Sequence, residues 1–250
     1  MTDVLVCIKR VVDSSSEVVL TDDGQAVDGR YAGFTTSAHE ECAVELAVRI
    51  AAATGGTATV LTLGDADASE QLRSALAVGC TAAVHVVADP QTFGPADVAR
   101  EIAVVAADHD LVLLGNDAAD SGDFQVGIRL AYELGRPVVN GVTSVSVEGT
   151  EVTANGAGPD GHETYRLPLP AVVTVLEVGV EPRYPTVPGR MKAKKIAIEE
   201  RQPTAAPVGP ARVRLLLPPP TPSDVRILGK GAEAAPAVVD VLEQLGVLAR

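Results

Sequence analysis

Apolar runs of strand length alternate with helically spaced apolar positions through the first half of the chain. Residues 4–8 (Val-Leu-Val-Cys-Ile) predict a buried opening strand, and 57–63, 82–87 and 110–114 repeat that texture. Between them lie helical patterns. One runs from a Ser37 cap, with Glu40 as capping-box partner, to about Ala53, and turns Val44, Leu46, Ala47 and Ile50 inward. Others cover 67–78, 95–108 (opened by Pro95) and about 123–134, where Val126, Leu130 and Leu134 recur every four residues. This βαβα order predicts an α/β domain with a right-handed parallel sheet.

Two regions break the alternation. Residues 17–20 and 25–28 flank Thr21-Asp-Asp-Gly24 as a hairpin signal. Residues 142–147 and 151–153 flank Glu148-Gly-Thr150 as an antiparallel hairpin, and strands at 164–167 and 171–175 complete a strand-rich section. From about Arg201, Pro203, Pro207, Pro210 and Pro218-Pro-Pro220 predict an extended arm, followed by an amphipathic helix over 234–248 with Val238, Val241, Leu242 and Leu245 apolar. The expected organisation is an α/β domain over 1–200 and an arm with its helix over 201–250.

Composition narrows the classes. Hydrophobic residues make up 46% of the 250 and aromatics 3%, so the core is aliphatic. A net charge of −13 argues against a nucleic-acid binder. The three cysteines, with no CxxC, suggest neither a disulfide framework nor a zinc site. The start MTDVLVCIKR does not read as a signal peptide, and no apolar run reaches the roughly 20 residues that span a bilayer. The expectation is a soluble cytoplasmic protein without membrane insertion.

Two segments carry candidate chemistry. Gly115-Asn116-Asp117-Ala118-Ala119-Asp120-Ser121-Gly122-Asp123-Phe124-Gln125-Val126-Gly127 follows a buried strand and opens a helix. Ligands of open α/β sheets sit outside strand carboxyl ends, and free amides at a helix start suit a phosphate. Asp117, Asp120 and Asp123 oppose a dianion unless they face sugar or solvent; an Asp-capped loop is the alternative reading. There is no GxGxxG and no P-loop lysine. The second segment, 181–195, places Arg183, Arg190, Lys192, Lys194 and Lys195 on an acidic protein, with Tyr184, Val187 and Met191 among them. It reads as an ordered exposed loop, either a solvated basic face or a docking surface for an acidic partner. His39, His85, His109 and His162 are scattered, Ser14-Ser15-Ser16 has no linked base, and Cys7 reads as a small core residue. No nucleophile–base pair emerges.

Residues 4–11, 41–47, 110–115 with Ala118, Asp120, Gln125 and Gly127, and 169–175 with 181–184 and 191–195 stand in the order of a known pattern. Gly64 and 71–79 fit it too. On these residues the chain resembles the β subunit of electron-transfer flavoproteins. The resemblance implies a three-layer flavodoxin-like or adenine-nucleotide-hydrolase-like fold. It implies a heterodimer with an α subunit that holds redox-active FAD, an electron carrier without its own catalytic site, and a structural AMP in this subunit, or a second FAD in bifurcating members. The AMP site maps onto Cys7, Ser37, Ala38, His39, Glu40, Leu63 and Gly115–Val126. The loop that docks flavin-dependent dehydrogenases maps onto Arg183–Lys195, with Val187 as apolar anchor, and the proline-rich arm with its helix contacts the α subunit. The family often reads Asn-Pro-Phe where this chain has Ser37-Ala38-His39; Ser14 replaces an aromatic, and Asp117 and Phe124 replace other polar side chains. The rival readings are a stand-alone adenine-nucleotide module of the universal-stress type and a nucleotide-acting enzyme of the same fold.

Overall fold

The structure is a computed structural model that describes residues 1–13, 15, 17–209, 213–219 and 225–248. Ser14, Ser16, Pro210 and Pro220, singled out in the sequence, lie outside the described residues. In chain order the strands are β1 (Val4–Cys7), β2 (Val11–Val12), β3 (Phe34–Thr35), β4 (Ala58–Gly64), β5 (Ala82–Val87), β6 (Leu111–Gly115), β7 (Val138–Glu148), β8 (Glu151–Gly158), β9 (Gly161–Pro168), β10 (Ala171–Val175) and β11 (Ile198–Arg201). The helices are α1 (Ala38–Thr54), α2 (Ser69–Val78), α3 (Pro95–Ala106), α4 (Val126–Leu134), α5 (Val187–Ala193) and α6 (Ala235–Gln244).

All strands but β2 and β3 form one nine-stranded sheet in the order β11-β5-β4-β1-β6-β10-β7-β8-β9. Pairing is parallel from β11 to β7 and antiparallel from β7 to β9. Alternate residues of each parallel strand feed opposite layers. Val4 and Val6 pack with Leu46, Ile50, Leu72 and Leu76 of α1 and α2. Leu5 and Cys7 pack with Ile102, Val105 and Leu130 of α3 and α4. Burial on both faces explains the near-continuous apolar strands. From β1 the chain steps to β4 and β5 on one side, then returns to β6 on the other. The order therefore reverses between β1 and β6, where crossover helices part and leave a crevice.

Several elements differ from the sequence pattern. β10 pairs in parallel with both β6 and β7, so the strand expected at 171–175 belongs to the parallel sheet and not to the antiparallel section. The hairpin expected at 17–28 reduces to one bridge, Leu20 to Val27. The basic segment is not a plain loop: Thr186 accepts the Gly189 N–H at 3.1 Å and caps the short helix α5. Helix α4 begins at Val126, because Phe124 has φ 55° and cannot continue a right-handed helix.

The chain divides into compact units Met1–Leu215 and Leu216–Arg250. Residues 202–209 thus belong to the first unit, where their backbone meets α3. The second unit carries α6, which ends at Gln244 rather than 248 and buries no residue. Leu113, in the central strand β6, is fully buried. Leu113→Ala is expected to lower unfolding free energy by about 2–5 kcal/mol; a shift in urea midpoint at unchanged slope checks it.

Candidate functional site

The crevice at the strand reversal holds a cavity of about 250 Å³. Its floor is the end of β1 and β6, with Cys7, Leu114 and Gly115, and Leu61 and Leu63 of β4 line it too. Gly115 is needed for close approach: a β-carbon there would lie 2.7 Å from Glu40 Cγ and 3.1 Å from the Glu40 nitrogen. Gly127 serves packing likewise, since its β-carbon would meet Thr174 Cγ2 at 2.3 Å and push α4 off β10. Thr174 Oγ1 donates to Asn116 Oδ1 at 2.7 Å, and the Asn116 N–H donates to the Val175 carbonyl at 2.8 Å, which fixes the loop's first residue.

Two side chains from the opposite wall approach the acidic loop. Lys9 Nζ lies 2.7 Å from Asp120 Oδ1. His39 Nδ1 lies 2.6 Å from Asp117 Oδ1 without an aligned hydrogen bond. The Ser121 and Gly122 amides donate to the Ala118 carbonyl, so these two are committed to a turn. Gln125 Oε1 accepts both Nε and Nη2 of Arg129.

Of the residues expected from sequence, Cys7, Glu40, Leu63, Gly115–Ala118, Ser121 and Asp123–Val126 line the cavity. Ser37, His39 and Asp120 support it through Glu40, Asp117 and Lys9. Ala38, Ala119 and Gly122 are exposed and outside its lining. Sequence reasoning missed the wall built by the loop after β5 and the start of α3, with Pro90, Phe93, Gly94, Pro95 and Val98. The signal was present, for Phe93-Gly-Pro95 follows the carboxyl end of a buried strand.

Glu40 is the buried carboxyl of this site. Its Oε2 accepts the Ser37 N–H at 3.2 Å and the Ser37 hydroxyl at 2.9 Å. Burial pushes its carboxyl up to about 8, against the pull of Ser37 and Lys9. Burial also raises the Cys7 thiol, which keeps it an unreactive core group.

The basic segment stands apart and is bolted at both ends. Glu45 of α1 is 2% exposed and receives Arg183 Nε at 2.7 Å and Arg49 Nε at 2.5 Å. Burial raises the Glu45 carboxyl, but the Arg183 and Arg49 bonds outweigh it and leave it below the ordinary range. At the far end Arg73 Nη1 donates to the carbonyls of Ala193 (2.6 Å) and Ile196 (2.5 Å). Between the bolts Tyr184 is 89% and Val187 76% exposed, flanked by exposed Arg190, Met191, Lys192, Lys194 and Lys195.

The model of the electron transfer flavoprotein domain matches residues 30–206. The chain belongs to that family. It is 34% identical over 203 residues to the electron transfer flavoprotein subunit beta of Bacillus subtilis, covering 79% of this chain and 78% of that one. It is 36% identical over 206 residues to the human subunit beta (80% and 81%) and 31% identical over 232 residues to that of Syntrophomonas wolfei (90% and 89%). The match to the flavoprotein family takes in α1, the acidic loop and the whole basic segment. Among the described residues no helix is long and apolar enough to cross a membrane, and no cluster of three or more His, Cys, Asp or Glu is placed to hold a metal.

Glu40 gives a pH test. Folded Glu40 keeps its proton up to about 8, whereas the unfolded chain loses it near 4.3. Between those values the unfolded state binds fewer protons, so this group's contribution makes stability fall as pH rises. Glu40→Gln is therefore expected to gain stability relative to wild type between about pH 5 and pH 8. Urea unfolding at both pH values measures the difference; a difference independent of pH contradicts the assignment.

Proposed function

We propose that this chain is the β subunit of a heterodimeric electron-transfer flavoprotein, with AMP in the cavity at the strand reversal and the redox-active FAD on an α subunit. It carries electrons from flavin-dependent dehydrogenases to a downstream acceptor in the cytoplasm and has no independent catalytic site. The observation that carries the nucleotide reading is the cavity between β1 and β6, where Lys9 offsets one of the loop's three acids and His39 lies against a second. A volume of about 250 Å³ lies just below the usual small-molecule range of roughly 300–1,000 Å³.

The residues fit such a ligand. Leu61, Leu63, Val98 and Ile102 offer an apolar wall for a base, and Phe93 and Phe124 offer aromatic faces. The ammonium of Lys9 and the amides opening α4 suit a phosphate. FAD, when bound to the partner, supplies the chemistry of accepting and releasing electrons. This chain shields one side of it and presents a fixed grip. The bolts at Glu45 and Arg73 hold Tyr184, Val187 and the surrounding cations outward, where an acidic dehydrogenase surface is drawn to them. Movement of the α subunit's FAD domain against this grip brings flavin to flavin. The uncovered apolar positions of the C-terminal unit, Val238, Val239 and Leu245, are where the α subunit packs.

Co-expression with an α subunit and analysis of released nucleotides tests the reading. One FAD and one AMP per heterodimer is expected; two FAD, or no association with a flavoprotein, contradicts it. Val187→Ala is expected to slow electron transfer from a dehydrogenase at unchanged cofactor content, and unchanged transfer rates contradict the grip.

A further inference from the structure

Helix α3 presents two faces of different use. Gly94, Pro95, Val98 and Ile102 line the cavity, while Asp97 and Glu101 lie outside its lining. The 3.6-residue period sets these groups side by side on adjacent faces. Asp97 is 0% and Glu101 3% exposed, and buried carboxylates need hydrogen-bond donors. The donors come from the chain at 202–209. Glu101 Oε2 accepts the Thr204 N–H at 2.7 Å and its hydroxyl at 2.9 Å. Asp97 accepts the N–H groups of Val208 at 3.0 Å and Gly209 at 2.9 Å.

Asp97 also takes the Gly94 N–H at 3.3 Å and Arg100 Nη1 at 2.9 Å. One buried carboxylate thus ties a cavity-lining residue to the strap. Gly209 fits because a β-carbon there would lie 2.8 Å from Asp97 Oδ2. Burial raises the Asp97 carboxyl, yet the bonds from Val208, Gly209, Arg100 and Gly94 outweigh it and hold it below the ordinary range, so it is an anion at neutral pH.

We propose that Asp97 and Glu101 are positioning residues that clasp residues 202–209 as a strap and thereby hold the first turn of α3 as a wall of the nucleotide cavity, so that strap docking and nucleotide binding are coupled. The inference rests on the cavity taking AMP. The strap is the stretch of sequence that leads to residues 216–250.

The test uses the full chain with AMP as probe, reading affinity by titration calorimetry and the strap by limited proteolysis within 202–209. Asp97→Asn removes the clasp's charge; Val208→Pro removes one strap donor and leaves α3 untouched, should the first variant fail to fold. In both, the strap is expected to become cleavable and the Kd for AMP to rise at least about fivefold, the lower end of ordinary coupling between sites. A cleavable strap with unchanged affinity overturns the coupling, and a strap that stays resistant overturns the clasp. A wild-type chain that binds no AMP removes the underlying nucleotide reading as well, an outcome distinct from both.

Discussion

Because the chain runs outward from β1 in both directions across the sheet, the helices that cover its two faces cannot meet above β1 and β6. That opening is a constraint of topology, and the rest of the site is built into it. Gly115 exists because α1 descends so close that a β-carbon would strike Glu40. Glu40 is buried because that descent excludes water, and burial holds its proton. The loop after β6 then has room to turn back across the opening, where Lys9 and His39 meet its acids.

A second thread is the treatment of buried acids. On a chain of net charge −13, Glu45, Asp97 and Glu101 are each placed in the interior and each receives a segment distant in sequence. Glu45 receives the start of the basic segment, and Asp97 and Glu101 receive the strap. An unpaired buried carboxylate is costly, so each acid specifies its partner as much as it stabilises it. Segments that propensity alone leaves extended are fixed in place this way.

This explains which parts of the fold were legible in the sequence. Strand and helix periodicity located the alternating core closely, with β5 and β10 at their observed bounds. Periodicity does not name neighbours, so β10 was legible as a strand but not as the partner of both β6 and β7. β11 escaped notice because Ile198-Glu-Glu-Arg201, paired with β5 alone at the sheet's edge, carries charges instead of an apolar run. Helix α5 was hidden by Pro188 and Gly189, which read as a loop until Thr186 caps them. At the site, the glycines and the acidic loop stood out by spacing. The contacts across it and the wall from Pro90 to Val98 did not, because they join residues far apart in sequence.

The central claim is that an adenylate occupies the opening between β1 and β6. Amide hydrogen exchange of the full chain with and without AMP addresses it directly. Slower exchange at the end of β1, the loop after β5 with the first turn of α3, residues 115–126 and the strap at 202–209 is the predicted result. No slowing at the end of β1, the loop after β5 and residues 115–126 at saturating AMP contradicts the account.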